Sequence, residues 1–186
     1  MADPTPLRDR LLQAAVAELR ERGADRFSLR ATARRVGLDP AMVYREFRDK
    51  ASLLDGVAQL AFMELATRAD AAIAAAGGPT EHRLRALAHA YVRFALEHPE
   101  EFRVMFAGGR RGPLLTGQPS AFDRLAELLV ELGHSDPLAE ALLCWSSVHG
   151  LAWLSLDGGF EGYGPSQSEA IDLVIDQLVA RVSFRL

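Results

Sequence analysis

The 186 residues carry 21 basic and 25 acidic side chains, a net charge of −4, with 49% hydrophobic and 25% charged residues. That composition suffices for a real core and excludes wholesale disorder. No run approaches the ~20 consecutive apolar residues of a membrane helix.

The opening stretch MADPTPLRDR lacks the apolar segment of a signal peptide, and the single cysteine, Cys144, has no intramolecular partner. Both features predict a cytoplasmic protein in a reducing compartment. Helical punctuation then divides the chain. Thr5-Pro6 opens a helix that ends at Gly23, with Leu11, Ala15 and Leu19 on one face. Ser28 is placed to cap a short helix ending before Gly37, and Asp39-Pro40 to cap and open another that ends near Phe47. Asp49 caps a long helix from Lys50 to Ala76, stopped by Gly77-Gly78-Pro79 and about 40 Å long at 1.5 Å per residue. Further helices are predicted over 80–97, 99–106, 120–132, 136–156 and 166–184. Gly- and Pro-rich segments at 107–119 and 157–165 lack the Gly-Lys-Ser/Thr ending of a phosphate loop and read as connectors. The expected fold is all-α, about nine helices: a three-helix head over residues 1–50 and a helical body over 51–186. No internal repeat is evident.

The informative stretch runs from Ser28 to Leu54, SLRATARRVGLDPAMVYREFRDKASLL. Two helices cross steeply where the contact residue is small and the corner residue tolerates positive φ. Ala33 and Gly37, four residues apart, meet both needs. Val36, Leu38 and Val43 supply an apolar wedge, and Asp39 with Pro40 starts the next helix. That helix turns Val43 and Phe47 inward and Ala41, Met42, Tyr44, Arg45 and Glu46 outward. A tight helical hairpin with no DNA role satisfies the same spacing. Both readings stay open on spacing, and charge leans toward DNA: residues 1–50 hold 11 basic and 8 acidic side chains, residues 51–186 hold 10 and 17. A basic head on an acidic body suits a protein with one DNA-facing end.

These residues resemble the TetR family of bacterial regulators. The likeness rests on Gly37-Leu38, Tyr44, Phe47 and Lys50, followed by Ser52-Leu53-Leu54, and covers Leu7 to about Val57. Lys50 is the only lysine beside 20 arginines and falls at the family's lysine position. The resemblance implies that Tyr44 and Lys50 hold backbone phosphates, with Ser28 helping at a helix N-terminus. Arg30, Ala41, Met42 and Arg45 are the candidates for base edges, with Pro40 beside the backbone. Thr32, where the family has an aliphatic residue, and Glu46, a carboxylate facing phosphate, depart from the pattern.

The body offers two further groupings. Ile171, Val174, Ile175, Leu178 and Val182 form a stripe on the last helix, and Ser147, Leu151 and Leu154 lie on the one before. By resemblance these two helices form a four-helix bundle across a two-fold axis, making a homodimer; packing into the monomer's own core is the alternative. Met63, Tyr91, Phe94, Phe102, Met105, Phe106, Phe122, Trp145, His149 and Trp153 are candidates to line an apolar ligand chamber, each also a plausible core residue. Trp145, His149 and Trp153 recur every four residues and so share one environment. FALEHPEEFRVMF and CWSSVHGLAWLSL resemble a C-terminal domain type named for Trp-His-Gly, here Trp145, His149 and Gly150.

The resemblance implies a repressor that binds a palindromic operator on double-stranded DNA and is released by a small, largely apolar effector. Ligand would favour a body conformation in which the Lys50–Ala76 helix swings and the half-site spacing is lost. The alternative is a DNA-binding regulator without a small effector, partner-gated or architectural. The five histidines show no metal-ligand spacing, and Cys144 and His149 fall on different helix faces. No catalysis, metal, cofactor or membrane is expected.

Overall fold

The computed structural model describes residues 5–107, 119–162 and 164–184; most of the 107–119 connector and Tyr163 of the 157–165 connector lie outside them. The described residues form nine helices and no strand: α1 (Leu7–Arg26), α2 (Leu29–Arg35), α3 (Pro40–Glu46), α4 (Lys50–Ala76), α5 (Thr80–Glu97), α6 (Pro99–Phe106), α7 (Ala121–Glu131), α8 (Pro137–Leu156) and α9 (Gln167–Ser183). Among them no helix is long and apolar enough to cross a membrane.

The chain divides into two compact units, one of residues 1–62 and 100–116, the other of residues 63–99 and 117–186. The first, the head, is built on Leu11, Ala15 and Leu19 of α1, Ala33 of α2, Val43 of α3 and Phe27 and Phe47 in the flanking turns. Its core also takes Leu53, Leu54, Val57 and Ala58 from α4 and Val104 from α6. The head unit therefore takes in residues beyond 50, since α4 and α6 contribute to the same core.

The corner between α2 and α3 closes by two backbone bonds, Leu38 N–H to Ala33 O at 3.0 Å and Gly37 N–H to Arg34 O at 3.1 Å. This pairing ends a helix in the left-handed region, and Gly37 holds φ 69° there without the penalty a Cβ would bring. Asp39 then accepts the Ala41 N–H at 2.7 Å, and Pro40 opens α3. Thr32, fully buried, satisfies its hydroxyl on the Ser28 carbonyl at 3.1 Å. Ser28 sits at the N-cap position of α2, but its side chain makes no capping bond. Asp49 and Ser52 cap α4 reciprocally: Asp49 accepts the Ser52 N–H at 2.8 Å and Ser52 Oγ accepts the Asp49 N–H at 3.1 Å.

In the second unit, the body, α5 packs against α7, α8 and α9, and α8 against α7 and α9. The sequence explains this order. Leu84, Leu87, Tyr91, Phe94 and Ala95 give α5 a continuous buried stripe. Capping boxes, Ser120 with Asp123 and Ser166 with Glu169, fix the starts of α7 and α9. Ion pairs from Arg124 to Asp70 and from Arg181 to Glu140 tie neighbouring helices at their edges.

Candidate nucleic-acid interface and ligand cavity

In the head, α2, α3 and the start of α4 each expose candidate residues to solvent. Tyr44 is 54% exposed although it is aromatic. Arg30, Ala41, Arg45 and Lys50 are exposed as well, while Ser28, Pro40 and Met42 are half-buried. Val43 and Phe47, on the opposite side of α3, are buried at 0% and 2%, so the period of the helix alone decides which residues are offered outward. Lys50 is not extended into solvent. Its Nζ donates to the Ala24 carbonyl at 2.9 Å and stands 5.7 Å from the Phe27 ring.

Several nearby arginines are already committed. Arg35 bonds Glu18 and Glu21, and these carboxylates push its pKa above the ordinary arginine value. Arg8 lies over Phe47 and donates to the Glu46 carbonyl at 3.2 Å. Arg48 pairs with Asp49 at 3.0 Å; the Ser52 N–H first, then this guanidinium, hold the Asp49 carboxyl below the usual range.

The body holds a narrow apolar cavity of about 50 Å3 between α5, α7, α8 and α9. Of the residues expected to contact a ligand, Tyr91, Phe122 and Trp145 line it. Most of the wall was not foreseen: Leu84, Leu87, Ala88, Ala121, Leu125, Cys144, Val148 and Val179. Ile175 and Leu178, assigned from the sequence to a dimer seam, line it too. Their signal was the i, i+3, i+4 spacing of Ile175, Leu178 and Val179, which marks an apolar face without saying what the face meets. Burial raises the pKa of the Cys144 thiol.

His149 and Trp153 stand behind this wall rather than in it. Trp153 Nε1 donates to His149 Nε2 at 3.0 Å. The neutral imidazole therefore carries its proton on Nδ1, which meets the Tyr91 hydroxyl at 2.9 Å. Trp145 Nε1 also donates to that hydroxyl, at 3.3 Å. Burial lowers the His149 pKa and holds the Tyr91 hydroxyl far above the ordinary tyrosine value.

The remaining candidates lie elsewhere. Phe102, Met105 and Phe106 belong to the head unit, where Phe106 stacks edge-on with Phe62 at 5.6 Å. Phe94 is buried in the body next to His98, and Met63 is 48% exposed. Of the expected seam, Leu151, Ile175 and Val182 are buried inside the monomer, Ile171, Val174 and Ser147 are half-buried, and Leu154 is half exposed. The exposed large apolar side chains of α8 and α9 are Leu154 of the expected seam together with Leu138, Leu142, Leu143 and Leu173, which lie outside it.

Two family models match the chain: "Bacterial regulatory proteins, tetR family" over residues 11–57 and "Tetracyclin repressor-like, C-terminal domain" over residues 84–178. No functionally curated protein matches it. Among solved structures, a protein of unknown function from Rhodococcus sp. RHA1 is similar at 28% identity and TM-score 0.82, over 98% of this chain and 100% of that one. A possible TetR family transcriptional regulator from Streptomyces coelicolor is similar at 19% identity and TM-score 0.73, over 94% and 98%. A TetR variant from Acinetobacter baumannii AYE, in complex with minocycline, is similar at 18% identity and TM-score 0.70, over 100% of both chains.

Proposed function

The chain belongs to the TetR family of bacterial transcriptional regulators, and from that membership we propose that it is a repressor binding a palindromic operator as a homodimer. The observation that carries this reading is that Tyr44 and Arg45 of α3, Lys50 at the start of α4 and Arg30 of α2 are all exposed. In this reading Tyr44 and Lys50 take backbone phosphates, with Ser28 and Pro40 flanking them, and Arg30, Ala41, Met42 and Arg45 meet base edges in the major groove. Two heads then read half-sites about 34 Å apart or a multiple of it. The solvent-facing leucines of α8 and α9 supply the dimer surface.

Release by a small apolar effector is the second element of the proposal. The cavity wall is apolar with Tyr91 and Trp145 as its polar-tipped members, and a regulator of the same fold is held in complex with minocycline. The effector works by population shift, favouring a body conformation incompatible with operator spacing. A differential of about 3 kcal/mol between the two states lowers operator affinity more than a hundredfold. At about 50 Å3 the cavity is smaller than pockets of about 300–1,000 Å3 that enclose drug-sized ligands. That volume favours, as the second reading, a regulator gated by a partner protein.

Fluorescence anisotropy on DNA from upstream of the protein's own gene, across a salt series, tests the proposal. The wild type binds selectively, and Tyr44→Ala/Lys50→Ala weakens binding at least tenfold and flattens the salt slope by about two, one for each Lys50 ammonium lost from the homodimer. Equal, unselective binding by both proteins would defeat it. The same assay then reads release by candidate effectors.

A further inference from the structure

α1 is broken at Gly23, whose φ of 71° and ψ of 167° lie outside the helix. The break takes the Ala24 N–H off the helical ladder, and an amide in that position needs a new acceptor. Glu100, on the first turn of α6, supplies it: Glu100 Oε2 accepts the Ala24 N–H at 3.2 Å. The site is fitted closely, since a Cβ on Gly23 would stand 3.3 Å from that same oxygen. One residue on, buried Glu101 accepts from Arg20 Nε at 2.5 Å, so the last regular turn of α1 and the residue after the break are both pinned to α6. The carbonyl of Ala24 is the acceptor that holds Lys50 Nζ. Glu100, Ala24 and Lys50 thus form one chain of contacts, with a carboxylate at one end and the sole lysine of the protein at the other.

We infer that Glu100 is a positioning residue for DNA binding: by fixing Ala24 at the Gly23 break it sets the carbonyl that preorganises the Lys50 ammonium. This inference rests on the assignment of Lys50 to a DNA phosphate. A free lysine side chain gives up rotamer freedom when it docks on an anion. One ammonium N–H bonded to Ala24 leaves two donors already aimed and removes part of that loss before DNA arrives.

Because Lys50 is the only lysine, selective 15N-lysine labelling yields one side-chain ammonium signal, which reports its environment without DNA. In Glu100→Ala that signal moves toward the position of free lysine, operator affinity falls three- to tenfold, and the salt slope drops by up to about two, one for each Lys50 of the homodimer. Glu100→Gln retains an acceptor oxygen and restores the ammonium signal and affinity to within twofold of wild type. In the Lys50→Ala background, Glu100→Ala produces no further loss. Should Glu100→Ala fail to fold, Glu100→Asp, shorter by one methylene, carries the same expectations. An unchanged ammonium signal in the Ala or Asp variant overturns the positioning role, and so does a loss of affinity that adds to that of Lys50→Ala. If the signal moves but Lys50→Ala leaves the salt slope unaltered, Lys50 holds no phosphate, and the role fails with that assignment while the contact chain stands.

Discussion

The indole N–H of Trp153 donates to His149 Nε2, and this contact requires the imidazole to be neutral. Protonation would place a hydrogen on Nε2, facing a group that can only donate. Desolvation acts in the same sense and lowers the His149 pKa below the ordinary value of 6.5.

Stability therefore falls on the acid side. The unfolded chain takes up this proton near pH 6.5 and the folded one only at lower pH, so the contribution of His149 is complete above about pH 6.5 and is lost as pH drops through the folded value. Urea unfolding at pH 7.5 and 5.5 is expected to show a larger loss for wild type than for His149→Phe. His89, its pKa lowered by burial against the opposing pull of Asp172, contributes in the same direction and is common to both proteins. Trp145 and Trp153 are the only tryptophans, so native fluorescence should dim as pH falls through the folded value of His149, in wild type alone. Identical pH dependence in the two proteins would rule the mechanism out.

The helices were legible because breakers and caps are local: Gly37, Asp39-Pro40, Asp49 and Gly77-Gly78 act within a few residues of themselves. The same holds for Val43 and Phe47 facing inward while Tyr44 faces outward, a consequence of helical period. What periodicity does not encode is the partner of a stripe. The stripe on α9 suggests a seam between protomers for Ile175 and Val182, yet they are buried in their own monomer at 0% and 2% exposure. Residue type alone groups Phe102 and Met105 with Tyr91 as aromatic or sulfur-bearing, yet they belong to the other unit. Their destination depends on contacts far apart in sequence, such as that of α6 with the head.

The cavity carries a prediction of opposite signs. Leu84→Ala enlarges it and costs about 2–5 kcal/mol, while an apolar fluorescent probe binds more tightly. Val148→Phe fills the space with a ring, changes stability by less than about 3 kcal/mol, and reduces probe binding at least fivefold. If neither substitution changes probe affinity, the probe and any effector of its kind bind somewhere else.

On α8, Leu138 and Leu142 are 59% and 47% exposed and share a face at i, i+4 spacing. Each leucine withdrawn from water contributes about 1.5–3 kcal/mol, so several meeting across a two-fold axis make a dimer surface. Leu138→Glu/Leu142→Glu should sediment as a monomer of unchanged helical content at concentrations where wild type is a dimer. A variant that sediments like wild type would move the interface to other residues.

Val104 of α6 is 1% exposed and packs into the head core with Leu11, Phe47 and Leu53 as fellow members. Removing two buried carbons in Val104→Ala costs about 1.6 kcal/mol in transfer alone, plus a further amount for the space left behind. The residue stands on the turn after Glu100 and Glu101, so its loss loosens the same helix that holds Ala24 and Arg20. Hydrogen exchange locates the effect. Amides of α1 and α2 should exchange faster in Val104→Ala, while those of α7 and α9, which belong to the body unit, keep their wild-type rates. Uniform acceleration throughout the chain would mean that the two units unfold as one, and unchanged rates in α1 and α2 would mean that α6 contributes nothing to the stability of the head.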